Sequence, residues 1–418
     1  MSAGVVIVGT GQAGFQTAAS LRTEGYLEPI TLIGEEPHIP YQRPPLSKGF
    51  ALGTQDLESV ELRPAKFYVD HKIDLLVNER AVSIDRANHI VTTDSGKRLP
   101  YRTLVLATGG RNRVLDVPGV QLDGILYLRS LSEAITLKER FKNAHEVTVI
   151  GGGFVGLELA AVAATLGKSV TVFEMLPRLM SRLVAPIISD FFCNLHRSHG
   201  VKISCNARVS NFTGAQGKVE KVVLADGSAH PTDLVLVGIG ILPNVELARD
   251  SGLNVANGIS VNEHLQTSGD NIYAIGDCAE HLCVFAGARV RLESVQNAAN
   301  QAQCVAATIA GRASPYRALP WFWTDQFDTK LQMAGISHPH DRIVTRGSME
   351  SGKLSVFYFR GNRLVAVDSI NRPLDHMISR KLLAAGTLLT PEQAADENVD
   401  LRKLAQTKPT HPTSPPSH

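Results

Sequence analysis

An α/β chain with two doubly wound parallel sheets and a smaller α+β domain at its C-terminal end is the fold class this sequence predicts. Three observations predict it. VVIVGTGQAG (5–14) drives a β-branched strand into a G-x-G-x-x-G turn, and VTVIGGGFVG (147–156) repeats the device far along the chain. Each is followed by short alternating segments that read as strands. From PWFWTDQF (320–327) onward the composition changes, with hairpin-like strands in place of strand–helix alternation.

The first unit opens with a strand from Gly4, a tight turn and a helix through Ala18–Leu21; ITLIG (30–34) is its second strand, ending at Glu35. In HIPYQRPPLSK (38–48) the prolines exclude regular structure, so an extended, rigid loop is expected. Between 73 and 106, IDLLV, AVSID, HIVTTD and LVLAT alternate as strands, separated by turns such as Asp94-Ser95-Gly96. A helix over 130–142 starts at a capping box of Ser130 and Glu133. The second unit opens at Val147, with SVTVFE (169–174) as its second strand and a meander through 201–237. LVLATGG (104–110), DLVLVGIG (233–240) and NIYAIGDCAE (271–280) each place a glycine just beyond a buried strand. SVQNAANQAQCVAATIAG (294–311) is an Ala-rich helix. The final strands are 354–360 and 364–369, before a tail, KPTHPTSPPSH, whose composition predicts disorder.

Bulk properties exclude several classes. A chain of 418 residues is too long for one core. Hydrophobic content of 44% and charged content of 20% describe a soluble globular protein. With 42 basic against 40 acidic residues, nothing favours nucleic acid or an anionic membrane. The most apolar stretch, around 147–167, is broken by glycines and Glu158, so no membrane span is expected. The five cysteines, Cys193, Cys205, Cys278, Cys283 and Cys304, form no C-x-x-C and no metal-ligand spacing. Met1–Gly4 carries no charged or long apolar stretch, so no signal segment is expected. A cytoplasmic location with reduced thiols and no metal centre is the expectation.

The glycine turns carry the chemistry. In the first, Gly9 permits the tight turn, Gly11 lets a pyrophosphate approach the backbone, and Gly14 lets helix pack on strand. Gln12 and Ala13 then start a helix whose free N–H groups and dipole favour anions. An acid to hold ribose hydroxyls belongs about twenty residues on. Glu35 stands there, with Glu36 beside it. In the second turn, Gly151, Gly153 and Gly156 take the same parts, Phe154 and Val155 open the helix, and Glu174 is the acid. A carboxylate there accepts from a free 2′-hydroxyl and repels a 2′-phosphate, which favours NAD over NADP. Arg178 and Arg182 read as solvated surface charges.

GTGQAG, YQRPPLSK (41–48), ATGG (107–110), GGGFVGLELA (151–160) and IYAIGDCAE (272–280) stand in the order found in two-dinucleotide flavoprotein reductases. RPPLSK and WFWTDQFDTKLQMAG (321–335) make the chain resemble, over nearly its whole length, the NADH-dependent ferredoxin reductases of bacterial oxygenase systems. The resemblance implies a glutathione-reductase-like arrangement. FAD is expected in a discontinuous domain of residues 1–110 and 244–318, and NADH in 111–243. A C-terminal domain covers 319–408, and 409–418 is tail. It extends the FAD site to Arg43, Lys48, Val82, Ala107, Thr108, Gly109, Arg129, Gly276, Asp277, Val295 and Trp323, and the NADH site to Gly238, Ile239 and Gly240. Lys48 is implied to lie near flavin N5 and to pair with Glu158, which otherwise reads as a first-turn helix acid.

The implied activity is hydride transfer from NADH to tightly bound FAD, then single-electron delivery to a [2Fe–2S] ferredoxin serving a cytochrome P450 or Rieske oxygenase. The chain is expected to be a monomer or weak dimer. A basic docking surface is expected to include Arg289, Arg291 or Lys330. The missing redox cysteine pair separates the chain from disulfide reductases. Two alternatives stay open: the same flavin chemistry with rubredoxin, monodehydroascorbate or a quinone as acceptor, and an apoptosis-inducing-factor-like protein that binds both nucleotides but works through interaction.

Overall fold

The computed structural model describes residues 3–406, so the expected tail at 409–418 lies outside them. The described residues divide into two compact units. One runs to Ser181 and includes Ala185–Leu282 and Arg289–Tyr316; the other is made of Arg182–Val184, Cys283–Ala288 and the chain from Arg317.

The first unit contains two parallel sheets. In one, Ile73–Leu76, Ile30–Ile33, Gly4–Val8 and Arg98–Leu106 lie side by side, and Ile272–Ala274 also runs parallel to Arg98–Leu106. Every residue of Gly4–Val8 is buried, as its unbroken β-branched run requires of a strand covered on both faces. Arg98–Leu106 serves two partners. Its later residues pair with Gly4–Val8 (Leu106 opposite Val8), while its start pairs antiparallel with Ile90–Thr93 (Pro100 opposite Ile90).

The other sheet orders Lys202–Ser204, Ser169–Phe173, Glu146–Ile150, Leu234–Val237 and Ile125–Tyr127, all parallel. The meander expected over 201–237 is therefore shorter. Only Val209–Ala215, Lys218–Leu224 and Ala229–Pro231 are antiparallel, because the flanking segments are claimed by the parallel sheet. The chain crosses between the two sheets twice, and the crossings Gly110–Asn112 and Ile241–Pro243 pair antiparallel with each other.

Helix Gln12–Thr23 packs closely on Val295–Ile309, an approach allowed by small buried residues, Gly14 and Ala18 on one and Ala298, Ala302 and Ala306 on the other. Helix Leu131–Asn143 begins at the expected capping box: Ser130 Oγ accepts from the Glu133 N–H at 3.2 Å, and Glu133 Oε2 accepts from the Ser130 N–H at 2.7 Å.

Further elements differ from expectation. The proline-rich loop is not wholly extended, since Pro44–Ser47 forms a 3₁₀ turn and Gly49–Leu52 a single helical turn. Proline's fixed φ suits the first positions of a helical turn, where its missing N–H leaves no bond unmade. The sequence reading also assigns no element to helix Pro186–Ser198, which buries Ile188, Phe191 and Phe192, or to helix Pro373–Ala385.

The second unit is a five-stranded antiparallel sheet in the order Trp321–Gln326, Thr329–Gly335, Arg363–Ile370, Lys353–Arg360 and Arg342–Ser348. Helix Pro373–Ala385 packs on it through Ile378, Leu382 and Leu383, which meet Phe357, Phe359 and Val367. Arg346, 7% exposed, straps down the segment that follows: its guanidinium donates to the carbonyls of Asp396, Glu397 (3.2 Å) and Val399 (3.0 Å). Arg346→Ala strands those carbonyls and is expected to cost about 3 kcal/mol. Limited proteolysis should then cut within 394–404, and a wild-type digestion pattern would refute the strap.

Candidate functional site

Both glycine turns sit where strands of a parallel sheet end and helices begin. Their geometry is the same in each. A side chain at Gly9 would run into the Ala107 carbonyl oxygen, and one at Gly14 into the carbonyl of Gly9; Gly151 and Gly156 are closed off by Gly238 and Gly151 in the same way. The middle glycines differ, because a β-carbon at Gly11 or Gly153 would meet nothing within 4 Å. The outer glycines are thus required by the protein's own backbone, and the middle ones keep open a space the protein does not fill. Gly11 and Gly153 are also the N-caps of Gln12–Thr23 and Phe154–Thr165. Neither helix has a side-chain cap bond or an acid in its first turn, so no carboxylate of its own offsets the positive end of either helix dipole. This open, uncapped cradle fits a pyrophosphate at each turn.

Around the first turn the structure gathers several expected residues. Ala107, Thr108 and Gly109 follow strand Arg98–Leu106, with the Ala107 N–H donating to Val8 at 2.8 Å. Ala13 faces Gly276, where an added β-carbon would lie 3.1 Å from its own. Arg129 donates to Asp277 at 2.8 Å and to the Gly110 carbonyl at 2.9 Å. Val295 is the first residue of helix Val295–Ile309, with Ser294 as N-cap. Val82 is exposed on strand Ala81–Asp85. Trp323 belongs to the second unit, where its ring centroid lies 5.6 Å from that of Trp321.

The two candidate ribose acids separate cleanly. Glu35 is exposed just beyond strand Ile30–Ile33. Glu36 is taken, accepting from Arg43 at 2.7 Å and from the Tyr41 hydroxyl at 2.5 Å, so it is no substitute for Glu35. Burial holds the Tyr41 phenol above its ordinary range, which keeps it a donor.

At the second turn, Phe154 and Val155 open the helix, and Gly238, with Ile239 and Gly240 after it, approaches the backbone of Gly156. Glu174 is fixed by two backbone donors, Gly152 N–H at 2.6 Å and Leu176 N–H at 2.7 Å. Arg178 is not a solvated surface charge as expected. It donates to Ser189 Oγ and to the Ser181 carbonyl, both at 2.7 Å, bracing the loop against helix Pro186–Ser198.

Lys48 and Glu158 meet at 2.8 Å, with the Glu158 side chain only 5% exposed. Glu158 is therefore no solvated first-turn acid. It lies a full turn into the helix, facing the proline-rich segment. Its other oxygen accepts from Ser47 Oγ at 2.5 Å, a residue the sequence reading missed. A signal existed: a carboxylate has two oxygens, and one ammonium leaves a buried acid half served. Also missed were Asn244, which trades bonds with Thr108 (2.6 and 2.9 Å), and fully buried Gln301, which accepts from the Gly276 N–H at 2.7 Å.

The expected docking cations are otherwise engaged. Arg291, 10% exposed at its side chain, pairs with Glu293 at 2.6 Å and caps the Asp277 carbonyl. Arg289 pairs with Glu280 and Lys330 with Asp325, both at 3.3 Å. Their charge is offset locally, which a count of basic residues does not reveal. Cys278 and Cys283 are buried, and burial pushes both thiols up, away from reactivity. No helix among the described residues is long and apolar enough to cross a membrane.

The pyridine nucleotide-disulphide oxidoreductase model matches residues 3–302, and a reductase C-terminal model matches 321–405. The chain is 47% identical to rhodocoxin reductase of Rhodococcus erythropolis, over 97% of this chain and 96% of that protein. Among solved structures, the ferredoxin reductase for the CYP199A2 system of Rhodopseudomonas palustris superposes with a TM-score of 0.94 at 46% identity, covering 96% of this chain and 99% of that one. The reductase of the covalent putidaredoxin reductase–putidaredoxin complex gives the same TM-score at 40% identity, covering 96% of this chain and 98% of that one. With two nucleotide-ready turns, no redox cysteine pair and likeness along nearly its whole length, the chain belongs to the pyridine nucleotide-disulphide oxidoreductases, among the ferredoxin reductases of oxygenase systems.

Proposed function

We propose that this chain is an NADH-dependent ferredoxin reductase of the cytoplasm, serving a cytochrome P450 or ring-hydroxylating oxygenase through a [2Fe–2S] ferredoxin. The observation that carries the reading is the paired cradle: two turns whose middle glycines face open space at the ends of uncapped helices. Bound FAD would supply the conversion between a two-electron hydride donor and a one-electron acceptor. The first half, 1–110 with 244–318, is assigned to FAD and 111–243 to NADH, with 319–408 as the C-terminal domain.

The protein's own part is positioning and field. Gly11 and the start of helix Gln12–Thr23 would hold the FAD pyrophosphate, Glu35 its ribose, and Asp277, oriented by Arg129, hydroxyls further along. Gly153 and Glu174 would do the same for NADH. The Lys48 ammonium supplies positive charge that Glu158 holds in place, and the N-terminus of Val295–Ile309 adds a fixed dipole. Complex formation of a structural relative with putidaredoxin supports a small iron–sulfur partner.

Stopped-flow reduction of the visible flavin band by NADH and NADPH tests the reading. NADH is expected to bleach it fast and NADPH slowly. Glu174→Gln, which keeps the shape but drops the charge, should narrow the preference roughly tenfold. Sluggish bleaching by both nucleotides would favour the interaction-protein alternative.

A further inference from the structure

Glu158 is the only acid in Phe154–Thr165, a helix of otherwise apolar residues apart from Thr165, and it is 4% exposed. A carboxylate so placed needs a donor for each oxygen. Oε1 takes the Lys48 ammonium at 2.8 Å and Oε2 the Ser47 hydroxyl at 2.5 Å. Ser47 is itself buried, at 5% exposure. The two donors are adjacent in sequence, at the point where the 3₁₀ turn Pro44–Ser47 gives way to helix Gly49–Leu52. They therefore reach the carboxylate together, as the two arms of one clamp. Lys48 is further tied by a bond from its ammonium to the Pro44 carbonyl at 3.3 Å.

We propose that Ser47 is a positioning residue for hydride transfer: by holding the second oxygen of Glu158, it fixes where the Lys48 ammonium sits and how much of its charge remains to act on the flavin. The inference rests on the reading that Lys48 faces the reacting edge of FAD. The physical argument is one of sharing. A hydroxyl hydrogen-bonded to a carboxylate spreads and partly offsets its negative charge, so less of the neighbouring ammonium's field is cancelled. Without it, Glu158 directs more of its charge at Lys48 and is held less firmly. Negative charge arriving with the hydride is then less well stabilised. The hydroxyl touches neither nucleotide in this account; it acts through Glu158.

The test compares wild type with Ser47→Ala and Ser47→Thr, each as FAD-loaded protein. Flavin reduction by NADH is expected to slow roughly tenfold in S47A, the size of one charge-assisted hydrogen bond, with KM for NADH within about twofold. The midpoint potential of the bound flavin, read by dye-linked redox titration, should become more negative. S47T, which restores the hydroxyl, should return both readings toward wild type. If S47A does not accumulate as folded protein, Ser47→Cys, of similar volume but a poor donor, carries the same expectation. A potential and a reduction rate unchanged from wild type, in whichever of the two variants folds, would overturn the role of Ser47. That failure is distinct from failure of the functional reading, in which wild type itself would take up no FAD or would not bleach with NADH.

Discussion

Gly153→Asp is expected to give a folded, yellow protein that NADH no longer reduces. The expectation follows from the unequal glycines of the second turn. Gly153 has an ordinary extended backbone, with φ near −81° and ψ near −177°, and a β-carbon there meets nothing. It is also an N-cap, a position where aspartate is among the favoured residues, so the helix gains a side-chain cap it lacks. The same carboxylate occupies the space left for a pyrophosphate and repels it. Loss of NADH-driven reduction by a factor of roughly 100 or more is expected, since both contact and charge are reversed. The thermal midpoint should stay level or rise. Gly156→Asp supplies the contrast: its side chain would collide with the Gly151 carbonyl, so that variant should fail to fold stably. If G153D bleached at the wild-type rate, the second cradle would not be the NADH site.

A second large effect concerns pH. Asp368 is 2% exposed in strand Arg363–Ile370, and its carboxylate accepts from the Tyr358 hydroxyl at 2.5 Å. Burial pushes it up to about 7, an effect the Tyr358 bond only partly opposes. The folded value lies above the unfolded one, near 4, so across that interval the folded chain keeps a proton the unfolded chain has shed. Its contribution to stability is therefore full below about pH 4 and is lost as pH rises through about 7, with a ceiling of roughly 4 kcal/mol. Asp368→Asn keeps an acceptor for Tyr358 and removes the titration. Between pH 5 and 8 the variant should lose much less stability than wild type. Both tryptophans of the chain, Trp321 and Trp323, lie on one strand of the second unit, so their fluorescence reports its unfolding. Parallel pH slopes for the two proteins would refute the assignment.

What could be read from the sequence was what is local. The strands of the first sheet announce themselves by β-branched runs and short apolar segments, the turns by glycine spacing, and helix Leu131–Asn143 by a capping box whose partners are three residues apart. Helix Pro186–Ser198 escaped because its buried face is interrupted by Ser189 and His196. Ser189 is satisfied from a distance, donating to the Leu179 carbonyl at 2.6 Å and accepting from Arg178. The same holds at the site. Arg129 and Asp277 are far apart in the chain, and nothing near either names the other. The Lys48–Glu158 pair was expected only through resemblance to a family. Ser47 was missed because its partner lies 111 residues along the chain and only the burial of both residues shows the bond.

The antiparallel pairing of Gly110–Asn112 with Ile241–Pro243 makes the stretch between them an insertion whose ends meet. The host sheet is entered and left at one place, so its strand order does not depend on how long the inserted chain is or how it is threaded. Such a joint would let the inserted stretch be exchanged in the laboratory by cutting two neighbouring strands and rejoining them. The ribbon is not the only tie, since Lys48–Glu158 and Arg129–Asp277 also join the inserted stretch to its host.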